Sequence, residues 1–193
     1  MSNGSGGETT VLADGLSKDP MSESPDGRLL LYRVSTKNRN DIWVQPLDGS
    51  GKPYPFLESM NDENYGRFSP DGKWVAYTAD ESGQLQVYVV PFPGPGGKWQ
   101  VSSAGGWFPR WRADGRELFY LTSDGSVMSV AVDGTGSAFR AGTPRLLFRP
   151  PVVLQAGYQY AVTAKGDRFL MNTAVAAPLP VTVVSDWTTA LKK

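Results

Sequence analysis

The sequence predicts an all-β fold, a β-propeller of four four-stranded antiparallel blades, and three observations carry that expectation. First, one turn recurs along the chain. It appears as Ser24-Pro25-Asp26-Gly27-Arg28, Ser69-Pro70-Asp71-Gly72-Lys73 and Arg112-Ala113-Asp114-Gly115-Arg116, with a worn copy at Ala164-Lys165-Gly166-Asp167-Arg168. Each copy feeds a short run that is apolar on both faces, such as Leu29-Leu30-Leu31-Tyr32 or Trp74-Val75-Ala76-Tyr77. Second, the turn glycines Gly27, Gly72, Gly115 and Gly166 lie 45, 43 and 51 residues apart. A fixed period of about 40–45 residues is that of one four-stranded propeller blade. Third, Gly (22) and Pro (15) separate runs of β-branched and aromatic residues, and no segment sustains a helical period.

Taken in order, residues 1–7 have the composition of a flexible linker, and residues 8–193 form the propeller. Glu8–Ala13 reads as a lone strand. The blades span about 16–58, 59–102, 103–150 and 151–193. In the first, an inner strand approaches Ser24 and Leu29–Val34 follows as the second strand. Asp41-Ile42-Trp43-Val44-Gln45 is the third, and Tyr54-Pro55-Phe56-Leu57 is an outer edge where proline is tolerated. The second blade repeats this with Gln86–Val90 and Lys98–Val101, the third with Val127–Val132 and Arg145–Phe148. The fourth has Tyr158–Val162, Arg168–Asn172 and Pro180–Val184 but no outer strand of its own, so the strand at 8–13 is expected to complete it. The Asp-Gly pairs suggest two-residue hairpins, which need positive φ.

Four blades allow a closed four-bladed ring, a half-ring that pairs with a second copy into eight blades, or a piece of a longer propeller. An open half-ring exposes two apolar blade flanks, more than a soluble monomer tolerates. The expectation therefore leans to a homodimer.

Composition also excludes chemistry. The chain has no cysteine and no histidine, which removes thiolate nucleophiles, disulfides, thiolate or imidazole metal ligands and a Ser-His-Asp triad. Nineteen basic residues balance nineteen acidic ones, so no basic excess points to nucleic acid. No apolar run reaches the length of a spanning helix, so membrane insertion is not expected. The start lacks a signal-peptide core; the chain is cytoplasmic as given, or extracytoplasmic if a targeting segment lies upstream. No cofactor or metal is expected. Gly94-Pro95-Gly96-Gly97-Lys98 lacks phosphate-loop spacing, and Asp62-Glu63-Asn64 lacks calcium-loop order.

The Ser-Pro-Asp-Gly turns, together with the Asp-Ile-Trp-Val strand after a polar loop, resemble the TolB-type, WD-repeat-like β-propellers of bacteria over roughly residues 8–193. The stretch Pro180–Lys193 is similar to the C-termini of such propellers attached behind bacterial serine/threonine kinase domains. The resemblance implies a recognition platform and transfers no catalytic residue.

Alignment of the blades on their turn glycine places Arg67 and Arg110 five residues before it. Apolar residues four before the glycine pack between blades, so strand alternation sends Arg67 and Arg110 to the channel mouth. There they suit a carboxylate or phosphate, or pair with Glu63, Asp62 or Glu23. The loops entering each inner strand bring Glu63, Asn64 and Tyr65, then Trp107 and Phe108, then Tyr158 and Tyr160. Such residues fit a protein- or peptide-contact surface, although Trp107 and Phe108 also suit a plug at the ring centre. The expected function is a non-enzymatic module that binds a protein or peptide. A hydrolase or lyase of polar substrates at the channel mouth and a structural assembly element are the alternatives.

Overall fold

The computed structural model describes residues 15–49, 51–136, 138–151, 159–173 and 182–185. The expected strand at 8–13 and Tyr158 lie outside the described residues. Those that are described form antiparallel sheets without helices. The first sheet runs β1 (Ser17–Glu23), β2 (Leu29–Ser35), β3 (Asn40–Pro46), β4 (Tyr54–Leu57) in spatial order. The second runs β5 (Glu63–Phe68), β6 (Trp74–Ala79), β7 (Gln86–Pro91), β8 (Trp99–Gln100).

The third sheet departs from four strands. Its inner members are β9 (Trp107–Trp111), β10 (Glu117–Leu121) and β11 (Val127–Asp133). The outer position is shared by β12 (Arg140–Ala141) and β13 (Arg145–Phe148), both paired to β11. Gly142-Thr143-Pro144 divides them. Pro144 has no N–H for the ladder, and a Cβ at Gly142 would stand 3.3 Å from the Ala131 carbonyl oxygen. The fourth sheet has three described strands, β14 (Tyr160–Val162), β15 (Arg168–Met171) and β16 (Thr182–Ser185).

Strand alternation explains why the second strands are apolar on both faces. On β6, Val75 and Tyr77 join Leu31, Ile42 and Val44 in a core between the first and second sheets. Trp74 and Ala76 point the other way, into a core with Leu118, Tyr120 and Val130 of the third sheet. On β10, Phe119 and Leu121 point away from that core and meet Tyr160, Phe169 and Met171 of the fourth sheet. Each face of the strand serves a different blade. Full burial of such a side chain contributes about 1.5–3 kcal/mol. The cores thus join sheets one to two, two to three and three to four in series. Extended strand contacts among the described residues link the first sheet to the second and the second to the third, and none links the fourth to the third or to the first. Among the described residues no strand pairing joins the fourth sheet to the first.

The recurrent turn is a four-residue loop, and this corrects the two-residue hairpin expected from Asp-Gly. Gly27 N–H donates to the Ser24 carbonyl (2.9 Å), and Ser24 N–H to the Leu29 carbonyl (2.8 Å). Only the glycine has positive φ, at 72°, 71°, 71° and 74° for Gly27, Gly72, Gly115 and Gly166. The aspartate instead closes the loop with its side chain. Asp26 Oδ1 accepts from Ser24 Oγ (2.6 Å) and Arg28 N–H (3.1 Å); Asp71 repeats this with Ser69 and Lys73. In the fourth copy the carboxylate moves past the glycine, and Thr163 Oγ1 donates to Asp167 Oδ1 at 2.6 Å. The worn sequence keeps the same backbone turn.

Candidate recognition surface

The inner strands of the first three sheets all carry a bulge. Register shifts fall between Pro20 and Ser22, between Asn64 and Arg67, and between Trp107 and Arg110. An extra residue re-aims the side chains around it. In the second and third sheets the bulge holds a bulky residue in the left-handed region, Tyr65 and Phe108, both at φ 57°. Non-glycine residues are uncommon there, and such strain persists only where surrounding packing fixes it. Here the two rings lie against each other across the blades, with centroids 4.2 Å apart.

Hydrogen bonds tie the inner strands of the second and third blades to the blade before each. Phe68 N–H donates to Ser22 Oγ (3.3 Å), and Trp111 Nε1–H to the Arg67 carbonyl (3.1 Å). Arg33 bridges Asp19 and Asn64, its Nη1 donating to Asn64 Oδ1 at 3.1 Å. The sequence reading missed Arg33, whose signal was a lone charge within an apolar strand. At Gly66 a Cβ would stand 3.1 Å from Ile42 Cδ1, so glycine permits the close approach of the first two blades.

The structure brings some of the expected residues together and separates others. Arg110 and Tyr160 meet, with the guanidinium carbon 5.5 Å from the ring centroid, within cation–π range. Tyr160 is buried, and its hydroxyl has no hydrogen-bond partner among the described residues. Burial pushes that hydroxyl's pKa well up, against the opposing pull of the Arg110 and Arg67 charges. Arg67 is half-buried on β5, Arg110 half-buried on β9, and Trp107 half-buried beside Phe108.

Four residues expected on an open loop surface are interior. Phe108 is 1% exposed and Tyr160, Glu63 and Asn64 are likewise buried. For Phe108 the cause is the bulge, which folds the ring inward onto Tyr65 and the third core. Glu63 is held beside Ser59. It accepts from Ser59 Oγ and lies electrostatically close to Asp41, Arg39 and Glu81. Burial pushes its carboxyl up to about 7, despite the Ser59 hydrogen bond that opposes the shift. Asp62 instead joins blades one and two, accepting from Asn40 N–H (2.7 Å) and Nδ2 (3.0 Å). No group of three or more acidic side chains suited to a metal ion occurs among the described residues.

The fold has counterparts in known proteins. No family model matches the chain. Tricorn protease homolog 1 of Streptomyces coelicolor is 28% identical over 117 residues, covering 61% of this chain and 10% of the relative. TolB of Acinetobacter baumannii superposes with a TM-score of 0.70 at 19% identity, over 90% of this chain and 42% of that one. The β-propeller domain of the Trilobed protease of Pyrococcus furiosus, described as having an open velcro topology, gives 0.53 at 16% identity, over 89% and 54%. The fold is therefore that of a TolB-like β-propeller. The chain spans less than half of the TolB structure and a tenth of the curated relative.

Proposed function

We propose that this chain is a non-enzymatic recognition module that binds a protein or peptide at the inner rim of its second, third and fourth blades. The observation that carries this reading is the half-buried set Tyr65, Trp107, Arg67 and Arg110 there, with Tyr65 fixed by the buried Phe108 ring and Arg110 by the buried Tyr160 ring. Aromatic and arginine side chains dominate binding energy at protein interfaces. Rigid blades hold these groups, and the loops of each blade supply specificity. Arg67 and Arg110 orient an acidic group of the ligand, and Trp107 supplies apolar area. Tyr158 belongs to the same surface in this proposal.

The test is capture of a partner by immobilised chain, followed by Arg67→Ala/Arg110→Ala and Trp107→Ala variants. The proposal expects loss of capture in both, and undiminished capture in both contradicts it. The likeness to a protease homologue favours a second reading, a hydrolase or lyase at the same rim. A screen with polar substrates separates the two; turnover that disappears in the Arg67→Ala/Arg110→Ala variant selects the enzyme.

Two finer points belong to this proposal. The half-ring pairs with a second copy, and light scattering that returns a mass near 20.9 kDa contradicts it. Attachment behind a kinase domain, implied by residues 180–193, is tested by the native coding sequence upstream of residue 1.

A further inference from the structure

A cleft of about 590 Å³ opens between the second and third blades, bordered by the Ser69–Asp71 and Ala113–Arg116 turns and by Asp133–Thr135. These are the turns that join β5 to β6 and β9 to β10, together with the one leaving β11, at the end of the blades away from the loops that enter the inner strands. Its size falls within the usual range of ligand pockets. Trp74, Trp111 and Val132 form its apolar walls. Both indoles are fixed by their N–H groups, Trp74 Nε1 on the Gly134 carbonyl (3.0 Å) and Trp111 Nε1 on the Arg67 carbonyl (3.1 Å). Both polar edges are satisfied within the protein; Trp74 is buried against Trp99 and Phe139, and the half-buried Trp111 has apolar and π surface to offer a ligand.

Three carboxylates border the cleft, and they are not equivalent. Asp114 is locked in a two-point fork with Arg112, at 2.8 Å on each oxygen. Among the described residues Asp71 and Asp133 enter no ion pair, and the Arg140 and Arg116 charges act on Asp133 only at longer range. In each, Oδ1 accepts from its own turn (Ser69 and Lys73; Thr135) and Oδ2 accepts nothing. Arg116 is the one cation among the lining side chains, and it closes on neither free carboxylate. Indole walls beside two uncommitted carboxylate oxygens match the chemistry of an organic cation. Such a group gains from the ring faces and from charge-assisted hydrogen bonds together.

We propose that this cleft is a second recognition site, which seats the guanidinium or ammonium group of a basic side chain from a polypeptide partner between Trp111 and the Oδ2 atoms of Asp71 and Asp133. This inference does not depend on the inner-rim reading, because the two surfaces share no side chain.

The test is titration of the chain with end-capped tri-arginine, followed by tryptophan fluorescence and calorimetry, with the isosteric uncharged tri-citrulline as control. Saturable binding below about 10 mM is expected for tri-arginine and not for tri-citrulline. The Asp71→Asn/Asp133→Asn variant is expected to weaken it at least about fivefold, while Arg116→Ala leaves it equal or tighter. Asparagine retains the Oδ1 acceptor, so the turns are preserved. No saturable binding to the parent chain overturns the proposal, as does binding that the double variant retains. Binding lost in Arg67→Ala/Arg110→Ala but kept in the double variant also overturns it.

Discussion

The second strands of the third and fourth blades begin from the same turn and end in different environments. On β10, Leu118, Phe119, Tyr120 and Leu121 are all buried, because each face of the strand meets another blade. On β15 burial alternates. Phe169 and Met171 are buried against the third blade, while Leu170 is 45% exposed and Arg168 is exposed. Local chemistry is alike in the two strands, and the number of neighbouring blades decides how much of each is covered. A propeller blade is therefore stabilised from its flanks. Among the described residues of one chain, the central blades, which carry Arg67, Arg110, Tyr65 and Phe108, are the ones held on both sides.

This contrast can be broken by mutation. The largest effect is expected for Phe119→Ala, which removes a fully buried ring packed edge-on to Phe169 with centroids 5.1 Å apart. Chemical denaturation should show a loss of about 3–5 kcal/mol.

Next is Glu63, a carboxyl buried in a central blade. Its folded pKa of about 7 lies above its ordinary value of 4.5, so the folded state binds the proton more tightly. That contribution is complete below the ordinary value and is lost as pH rises through about 7. Thermal melts should show Glu63→Gln to be more stable than the parent at pH 8, by about 1–3 kcal/mol, with a flatter profile between pH 4.5 and 7. Asp167 in the fourth-blade turn titrates with the opposite sign. The Thr163 hydroxyl lowers its pKa, and its contribution is lost as pH falls.

Gly166→Ala forces a Cβ to within 2.9 Å of Phe119 Cζ at φ 74° and should cost about 1–3 kcal/mol. Gly83→Ala, with φ 84° and open space around it, should cost less. The smallest effect, about 0.5 kcal/mol or less, is expected for Leu170→Ala.

Much of the fold was legible because the signals were local. Turn glycines at a fixed period marked the blades, and runs such as Trp74–Tyr77 announced strands with two buried faces. The inner-strand bulges were not legible. Tyr65 and Phe108 adopt positive φ because of neighbours more than forty residues away, and nothing in their composition signals it. The split outer strand was hidden for a similar reason: Arg140-Ala141 is too short to show alternation and pairs only because β11 extends past β13. At the candidate surface, alternation led to the expectation that Arg67 and Arg110 reach the channel mouth. It could not show that Glu63 is held beside Ser59, or that Arg110 would find Tyr160 from the next blade.

The most direct test of a centre held on both flanks is native-state amide hydrogen exchange under increasing denaturant. The account predicts that amides of β6 and β10 exchange only through global unfolding, while those of β14 and β15 exchange through a smaller opening at lower free energy. Protection of β15 equal to that of β10, at a dilution where light scattering returns a single-chain mass, would contradict it, since the fourth blade would then be covered on both flanks within one chain.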